Sequence, residues 1–153
     1  MAAYNPWVIQ HAQKKIEEAQ KCNFPWIVLE RLGLSEIPDE LFNLTHLKEL
    51  VVIDNLLTTV PPKISNLKNL KRLNLFYNQL TELPAEIGSL TNLTHLDLSC
   101  NNLSALPKEI ANLKNLEYLD LRFNQLPISE EILEQVHNPS LIIQEYLNNL
   151  EPA

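Results

Sequence analysis

Glycine is nearly missing from this chain: Gly33 and Gly88 are the only two among 153 residues, and no G-x-x-x-x-G-K-[ST] run is present. A phosphate-cradling loop needs backbone that glycine supplies, so nucleotide binding is not expected. Cysteine is equally scarce. Cys22 and Cys100 stand in distant parts of the chain, so a disulfide framework is not expected and a reducing, cytoplasmic setting is. Positive charge is also short, with Lys+Arg 12 against Asp+Glu 19, a net charge of −7 and a pI near 5.0. A phosphate backbone would be repelled, so no nucleic acid partner is expected. No apolar run approaches the roughly 20 residues that span a bilayer, and the opening MAAYNPWVIQHAQKK has no signal-peptide apolar core. A soluble chain with no membrane partner is expected.

Groupings of reactive side chains are missing as well. His11, His46, His95 and His137 are dispersed, with no pair at metal-ligand spacing and no Cys pair beside them. Five residues of extended chain would hold His95 roughly 15 Å or more from Cys100, too far for a nucleophile and its base. The chain is therefore expected to hold no metal, to bind no cofactor and not to be an enzyme.

What is present is repetition. Leu70 to Asn92 reads LKRLNLFYNQLTELPAEIGSLTN, Leu93 to Asn115 reads LTHLDLSCNNLSALPKEIANLKN, and Leu47 to Asn69 reads LKELVVIDNLLTTVPPKISNLKN. Apolar residues, Asn and Pro recur at the same places in all three blocks without a gap. One block earlier, FPWIVLERLGLSEIPDELFNLTH fills every apolar slot with Phe24, Ile27, Leu29, Leu34, Ile37, Leu41 and Leu44. It departs where Leu32 replaces the Asn of Asn55, Asn78, Asn101 and Asn124. After Leu116 a last unit begins in register and loses residues beyond Leu126, so that Pro127 follows directly.

The L-x-x-L-x-L-x-x-N-x-L core with x-x-L-P-x-x-I-x-x-L behind it resembles the leucine-rich repeat of the 23-residue intracellular type. The resemblance covers about two thirds of the chain. It implies an α/β fold, a leucine-rich-repeat solenoid forming a short horseshoe arc. The L-x-x-L-x-L portions become parallel strands on a concave sheet, and the Pro-led portions return on the convex side as short helical turns. A solenoid unit buries its apolar face only against its neighbours, so both ends need caps. Asn5 and Pro6 open an amphipathic segment with Ile9, Ala12, Ile16 and Ala19 at helical spacing, ending near Lys21 or Cys22. Ser129 ahead of Glu130 and Glu131, and Asn138 ahead of Pro139, start two further helices. The second places Ile143, Tyr146, Leu147 and Leu150 on one face. The expected organisation is a helical N-terminal cap over 1–23, about five repeats over 24–126 and a helical C-terminal cap over 127–153.

The Asn column has a structural reason, since a side-chain amide both donates to and accepts from the turn backbones of stacked units. The residues between the inward leucines are not dictated by the fold. Along the five strands these columns read Trp26, Glu49, Arg72, His95, Tyr118; then Val28, Val51, Asn74, Asp97, Asp120; then Glu30, Ile53, Phe76, Ser99, Arg122; and at the strand ends Arg31, Asp54, Tyr77, Cys100, Phe123. Five of the ten aromatic residues fall here, which a solvated surface does not need. Val28 beside Val51, and Ile53 beside Phe76, form an apolar patch suited to contact. Tyr77 and Phe123 either join it or pack laterally on neighbouring strands. Asp97 and Asp120 form a like-charge pair on adjacent strands, compensated internally by His95 or Arg122 or externally by a partner's Lys or Arg.

The expected function is protein–protein interaction, a scaffold holding a partner protein or segment on the concave face. Trp26, Val28, Val51, Ile53, Phe76, Tyr77, Asp97, Tyr118, Asp120, Arg122 and Phe123 are its candidate contacts, and the isolated chain is expected to be a monomer. IEEA ahead of the first strand and PISEEILEQVHNPSLIIQEYLNNL after the last resemble the repeat segments of bacterial multidomain proteins of the Roco type. That resemblance implies an alternative role as the recognition, regulatory or oligomerisation module of a larger signalling enzyme. The chain itself carries none of the GTPase motifs.

Overall fold

The computed structural model describes residues 6–150, so the expectation that Asn5 caps the first helix lies outside the described residues. Helix α1 (Pro6–Lys21) is followed by five three-residue strands: β1 (Trp26–Val28), β2 (Glu49–Val51), β3 (Arg72–Asn74), β4 (His95–Asp97) and β5 (Tyr118–Asp120). They form one parallel sheet in sequence order, each residue paired with its counterpart one repeat on: Ile27 with Leu50, Leu73, Leu96 and then Leu119. The central residue of every strand is buried. A period-2 strand with one inward residue leaves its first and third residues on the opposite face. This is the architecture of a short α/β leucine-rich-repeat solenoid, as the repeat pattern implies.

Behind each of the first four strands the chain returns through a five-residue 3-10 helix: Asp39–Asn43, Pro62–Asn66, Ala85–Ser89 and Lys108–Asn112. Pro38, Pro61, Pro84 and Pro107 hold the N-cap positions with φ between −56° and −71°. Their ring fixes the dihedral the turn needs, and their carbonyls accept from Leu41, Ile64, Ile87 and Ile110 at 3.0 Å. The return is 3-10 rather than α because the proline and five residues between two buried apolar side chains, Ile37, Val60, Leu83 or Leu106 before and a leucine after, leave room for only one tight turn.

The turns pack on one another, and Gly88 marks the closest approach. A Cβ at Gly88 would sit 2.4 Å from the backbone carbonyl oxygen of Glu109 in the next turn. Backbone cannot rotate aside as a flexible side chain can. Gly88→Ala is therefore expected to push the two turns apart and lower stability by roughly 1–3 kcal/mol, read by thermal melting.

The unit interior is a single continuous core of the repeating Leu, Ile and Val. At one end α1 lays Ala12, Ile16 and Ala19 onto it, with Ile9 partly buried. At the other end stand α2 (Glu130–Leu133) and α3 (Pro139–Asn148). Ser129 occupies the N-cap position of α2 but makes no side-chain cap bond; its carbonyl accepts from Ile132 and Leu133 instead. Asn138 does cap α3, its side chain accepting from the N–H of Leu141, with Pro139 beginning the helix. The buried face of α3 is Pro139, Ile142, Ile143 and Tyr146; Leu150, placed on that face by the heptad-like spacing, is exposed. Among the described residues no helix is long and apolar enough to cross a membrane. Cys22 and Cys100 are free thiols.

Candidate functional site

The Asn column sits at the end of each strand and ties successive units together. Asn101 donates from Nδ2 to the carbonyls of Leu75 and Leu98, each at 3.0 Å, and its Oδ1 accepts from the N–H of Leu80 at 3.0 Å. Asn55, Asn78 and Asn124 repeat the arrangement. These side chains satisfy backbone and leave nothing for a ligand, the structural role that the sequence assigns to the column.

The residue before each of these positions is left-handed. Arg31, Asp54, Tyr77, Cys100 and Phe123 all have φ between +53° and +57°. Such a dihedral is strained for a residue with a Cβ. At the four bends followed by Asn, the ladder amide offsets it by reaching back across the bend to a carbonyl of its own unit and to one in the preceding unit. One consequence is that the whole strand-end column is thrown outward. Tyr77 is 57% exposed and Phe123 75% exposed. Tyr77 keeps a tilted contact with Phe76, centroids 5.8 Å apart, whereas the exposure of Phe123 excludes the lateral packing considered for it.

Register brings the N-terminal part of the candidate patch together. Trp26 pairs with Glu49 and Val28 with Val51 across β1 and β2, while Ile53 and Phe76 follow β2 and β3. Trp26 is half exposed and stacks on Phe24 with centroids 5.5 Å apart, so two rings stand at the open edge of the sheet beside the two valines.

The C-terminal part is a polar network with a different character. Asp97 and Asp120 do share one column, in register on β4 and β5. Asp120 is 2% exposed and fully engaged. Arg122 grips it with Nε at 3.0 Å and Nη2 at 2.6 Å, its own N–H at 3.1 Å, and the Tyr118 hydroxyl donates at 3.1 Å. Burial pushes the Asp120 carboxyl up, but the Arg122 bonds and charge outweigh it and hold it below the usual range. Arg122 also reaches Glu134 at 3.4 Å, tying β5 to the end of α2. The internal compensation is thus made by Arg122, so Asp120 and Arg122 do not stand free as contacts. His95 instead stacks on Tyr118 at 5.9 Å, and Tyr118 meets the edge of His137 at 5.4 Å. Burial, followed by the Asp120 charge, pushes the Tyr118 hydroxyl up to about 12.

Asp97 is half-buried and pairs with no cation among the described residues. Its Oδ1 accepts from the N–H and the hydroxyl of Ser99, at 3.0 and 2.6 Å. Asn74 and Asp120 likewise accept from the N–H two residues on. The column therefore carries a local side-chain turn in three units, a role not anticipated from the sequence, although the N-x-F, D-x-S and D-x-R spacing could have signalled it. Burial raises the Asp97 carboxyl above its usual value, only partly offset by Ser99. A raised folded-state value means that the charged form opposes folding at neutral pH and that this penalty fades as pH falls below the carboxylate range. Asp97→Asn keeps the Ser99 N–H bond, as Asn74 does in its unit. It is expected to raise stability at pH 7 by under about 1 kcal/mol, after allowance for partial exposure. Melting at pH 7 and pH 3 checks this, the gain being absent at pH 3.

Comparison with known proteins converges on the same architecture. Residues 24–138 match the family model of a leucine-rich repeat region. No protein of curated function matches the chain. A leucine-rich-repeat protein of Leptospira interrogans is 32% identical over 72% of this chain and 35% of its own, with a TM-score of 0.60. The complex of BIR3 with SERK2 from Arabidopsis thaliana contains a chain 33% identical over 65% of this one and 56% of its own, TM-score 0.59. YopM from Yersinia enterocolitica is 28% identical over 76% of this chain and 24% of its own, TM-score 0.66. The chain thus spans about a third of the Leptospira protein and about a quarter of YopM.

Proposed function

Since the chain belongs to the leucine-rich-repeat family, whose domains generally mediate protein–protein interaction and are typically not enzymes, we propose that it is a binding scaffold that holds a partner protein on its concave sheet face. The observation that carries this reading is the apolar and aromatic surface of β1 to β3: the exposed rings of Trp26 and Tyr77 stand with half-buried Val28, Val51, Ile53 and Phe76 where the fold asks only for solvated side chains. Asp97 and Tyr118 extend it toward β5, and Phe123 stands at its far rim. A related chain is half of a two-protein complex, which supports the same role. The flanking helices act as caps over 1–23 and 127–153, and the chain works as a monomer in the cytoplasm. Closure of both ends by apolar helices, with two free thiols and no disulfide among the described residues, favours that setting.

A second reading makes the chain the recognition segment of a larger signalling enzyme of the Roco type. The Asn138–Pro139 helix closing the array favours it, and so does the greater length of the matched chains. Finding whether the reading frame continues past Ala153 into a GTPase domain tests it.

The concave reading is tested by pull-down from lysate with the natural chain and with the variant Val51→Glu, Phe76→Ala. Both positions lie outside the buried core, so the variant is expected to fold, which melting confirms. The retained protein is expected to be lost, a fall in affinity of about 100-fold or more. Equal retention by both chains would move the contact to the convex side or the ends.

A further inference from the structure

Lys48, Lys68, Lys71 and Arg72 gather on one edge of the second and third units, where the chain enters the strands. The N–H groups of Lys71 and Arg72 both donate to the Lys48 carbonyl, at 2.8 and 3.0 Å, and Lys68 precedes them by the turn that Leu70 closes on Leu67. All four residues are exposed, and no side chain among them has an ion pair or hydrogen bond with any described residue. Glu49 lies opposite Arg72 in the β2–β3 register and still forms no ion pair with it. Elsewhere cations beside the sheet are compensated: Arg31 by Asp54 at 2.9 Å, and Arg122 by Asp120 at 2.6 Å.

Lys48 stands just ahead of β2 and Lys71 and Arg72 at the start of β3, neighbouring rungs about 5 Å apart, so these like charges repel one another and work against folding, with Lys68 adding a fourth from the preceding turn. The repeat does not require them. The position of Lys48 and Lys71 is Thr94 and Glu117 in the next two units, with the same backbone bonds. The chain as a whole carries −7, so this positive strip is a local exception rather than part of a general basic surface. A nucleic acid or an anionic membrane would meet the remaining acidic surface unfavourably. A short acidic segment would meet only the strip.

We propose that this edge is the docking strip for an acidic segment of the protein partner, whose Asp and Glu side chains pair with Lys48, Lys68, Lys71 and Arg72 while its adjoining apolar side chains lie on Val28, Val51 and Phe76. The second half of that statement rests on the concave-face reading; the first half does not. The segment enters across the strand starts with its carboxylates at the rim, and its apolar part crosses the sheet.

Selection from a displayed library of short random peptides tests this. Three baits are used: the natural chain, an edge variant (Lys48→Glu, Lys68→Glu, Lys71→Glu) and a face variant (Val51→Glu, Phe76→Ala), each checked by melting. A milder edge variant with Gln at the three lysines replaces the first if it does not fold. The natural chain is expected to enrich peptides in which Asp or Glu adjoins apolar residues. Such peptides should bind the edge variant at least about 10-fold more weakly, and more weakly to the natural chain as salt rises. Acidic enrichment that survives edge reversal, or apolar peptides without acidic residues, would overturn the proposal and leave the concave reading standing. Acidic peptides lost by the edge variant but kept by the face variant would sustain the strip and sink the concave reading. Capture of phosphatidylserine vesicles by the natural chain and not by the edge variant, with no acidic peptide selected, would reassign the strip to membranes.

Discussion

Asn101→Ala is expected to remove about 3–5 kcal/mol of stability and to lower the melting temperature by roughly 10 °C or more. Asn101 is buried in the middle of the array, and its amide serves four backbone groups belonging to two units: the carbonyls of Leu75, Leu98 and Ser99 and the N–H of Leu80. Alanine leaves the Leu80 N–H without a partner in a site that excludes water, at about 1–3 kcal/mol. It takes one of two donors from the Leu75, Leu98 and Ser99 carbonyls, which keep Asn78, Asn124 and the Tyr77 N–H, at about 0.5–1.5 kcal/mol for each lost bond. It also removes the bond that steadies the left-handed bend at Cys100. Because a solenoid is coupled only through neighbours, the damage is placed between the first three units and the last two. The melt should therefore broaden or split as well as shift. Asn124→Ala, at a half-buried end of the column, should lose less. A single sharp transition within about 1 kcal/mol of the natural chain would show that the column is not what couples the units.

The role of that column was legible in the sequence because the chemistry has one solution: a residue that both donates and accepts, at a fixed period, next to buried leucines. Even the exception makes sense. Leu32 opens the column where no earlier repeat offers a turn to bind, and its own N–H still donates to Asn55. The sheet, its register, the Pro-led returns and the buried face of α1 were likewise written in apolar spacing; on α3 the spacing picked out Ile143 and Tyr146, but Pro139 and Ile142 complete the buried face and Leu150 is exposed. The strand-end bends were not, since Arg31, Asp54, Tyr77, Cys100 and Phe123 share no side-chain feature and none is the glycine that usually marks a left-handed dihedral. Asp97 and Asp120 looked like one acidic pair. Folding separates them: Arg122, two residues along the same chain, claims Asp120, while Asp97 keeps only Ser99. Which of two outward carboxylates is neutralised depends on rotamers and on α2 behind the sheet, and no spacing encodes that.

Tyr146→Phe is expected to destabilise the chain by about 2–4 kcal/mol although it deletes a single oxygen. Tyr146 was legible only as one apolar residue on the face of α3. In the fold it is 1% exposed, and its hydroxyl accepts from the N–H of Leu106 at 2.7 Å while donating to the carbonyl of the same residue at 2.8 Å. One side chain thus does for the last complete unit what a further stacked turn would otherwise do. Phenylalanine keeps the volume, so the core contacts of α3 with Ile142 and Ile143 survive, and the loss isolates the two hydrogen bonds. Leu106 is itself buried, so water cannot readily replace the hydroxyl. A fall of roughly 5–15 °C in melting temperature should follow, with faster amide exchange at Leu106 and in α3 and little change near β1. Partner capture measured below the melting range should be unaffected, since the proposed contact residues lie on the sheet face and its rim. A melting temperature equal to that of the natural chain would mean that α3 is held by its apolar face alone.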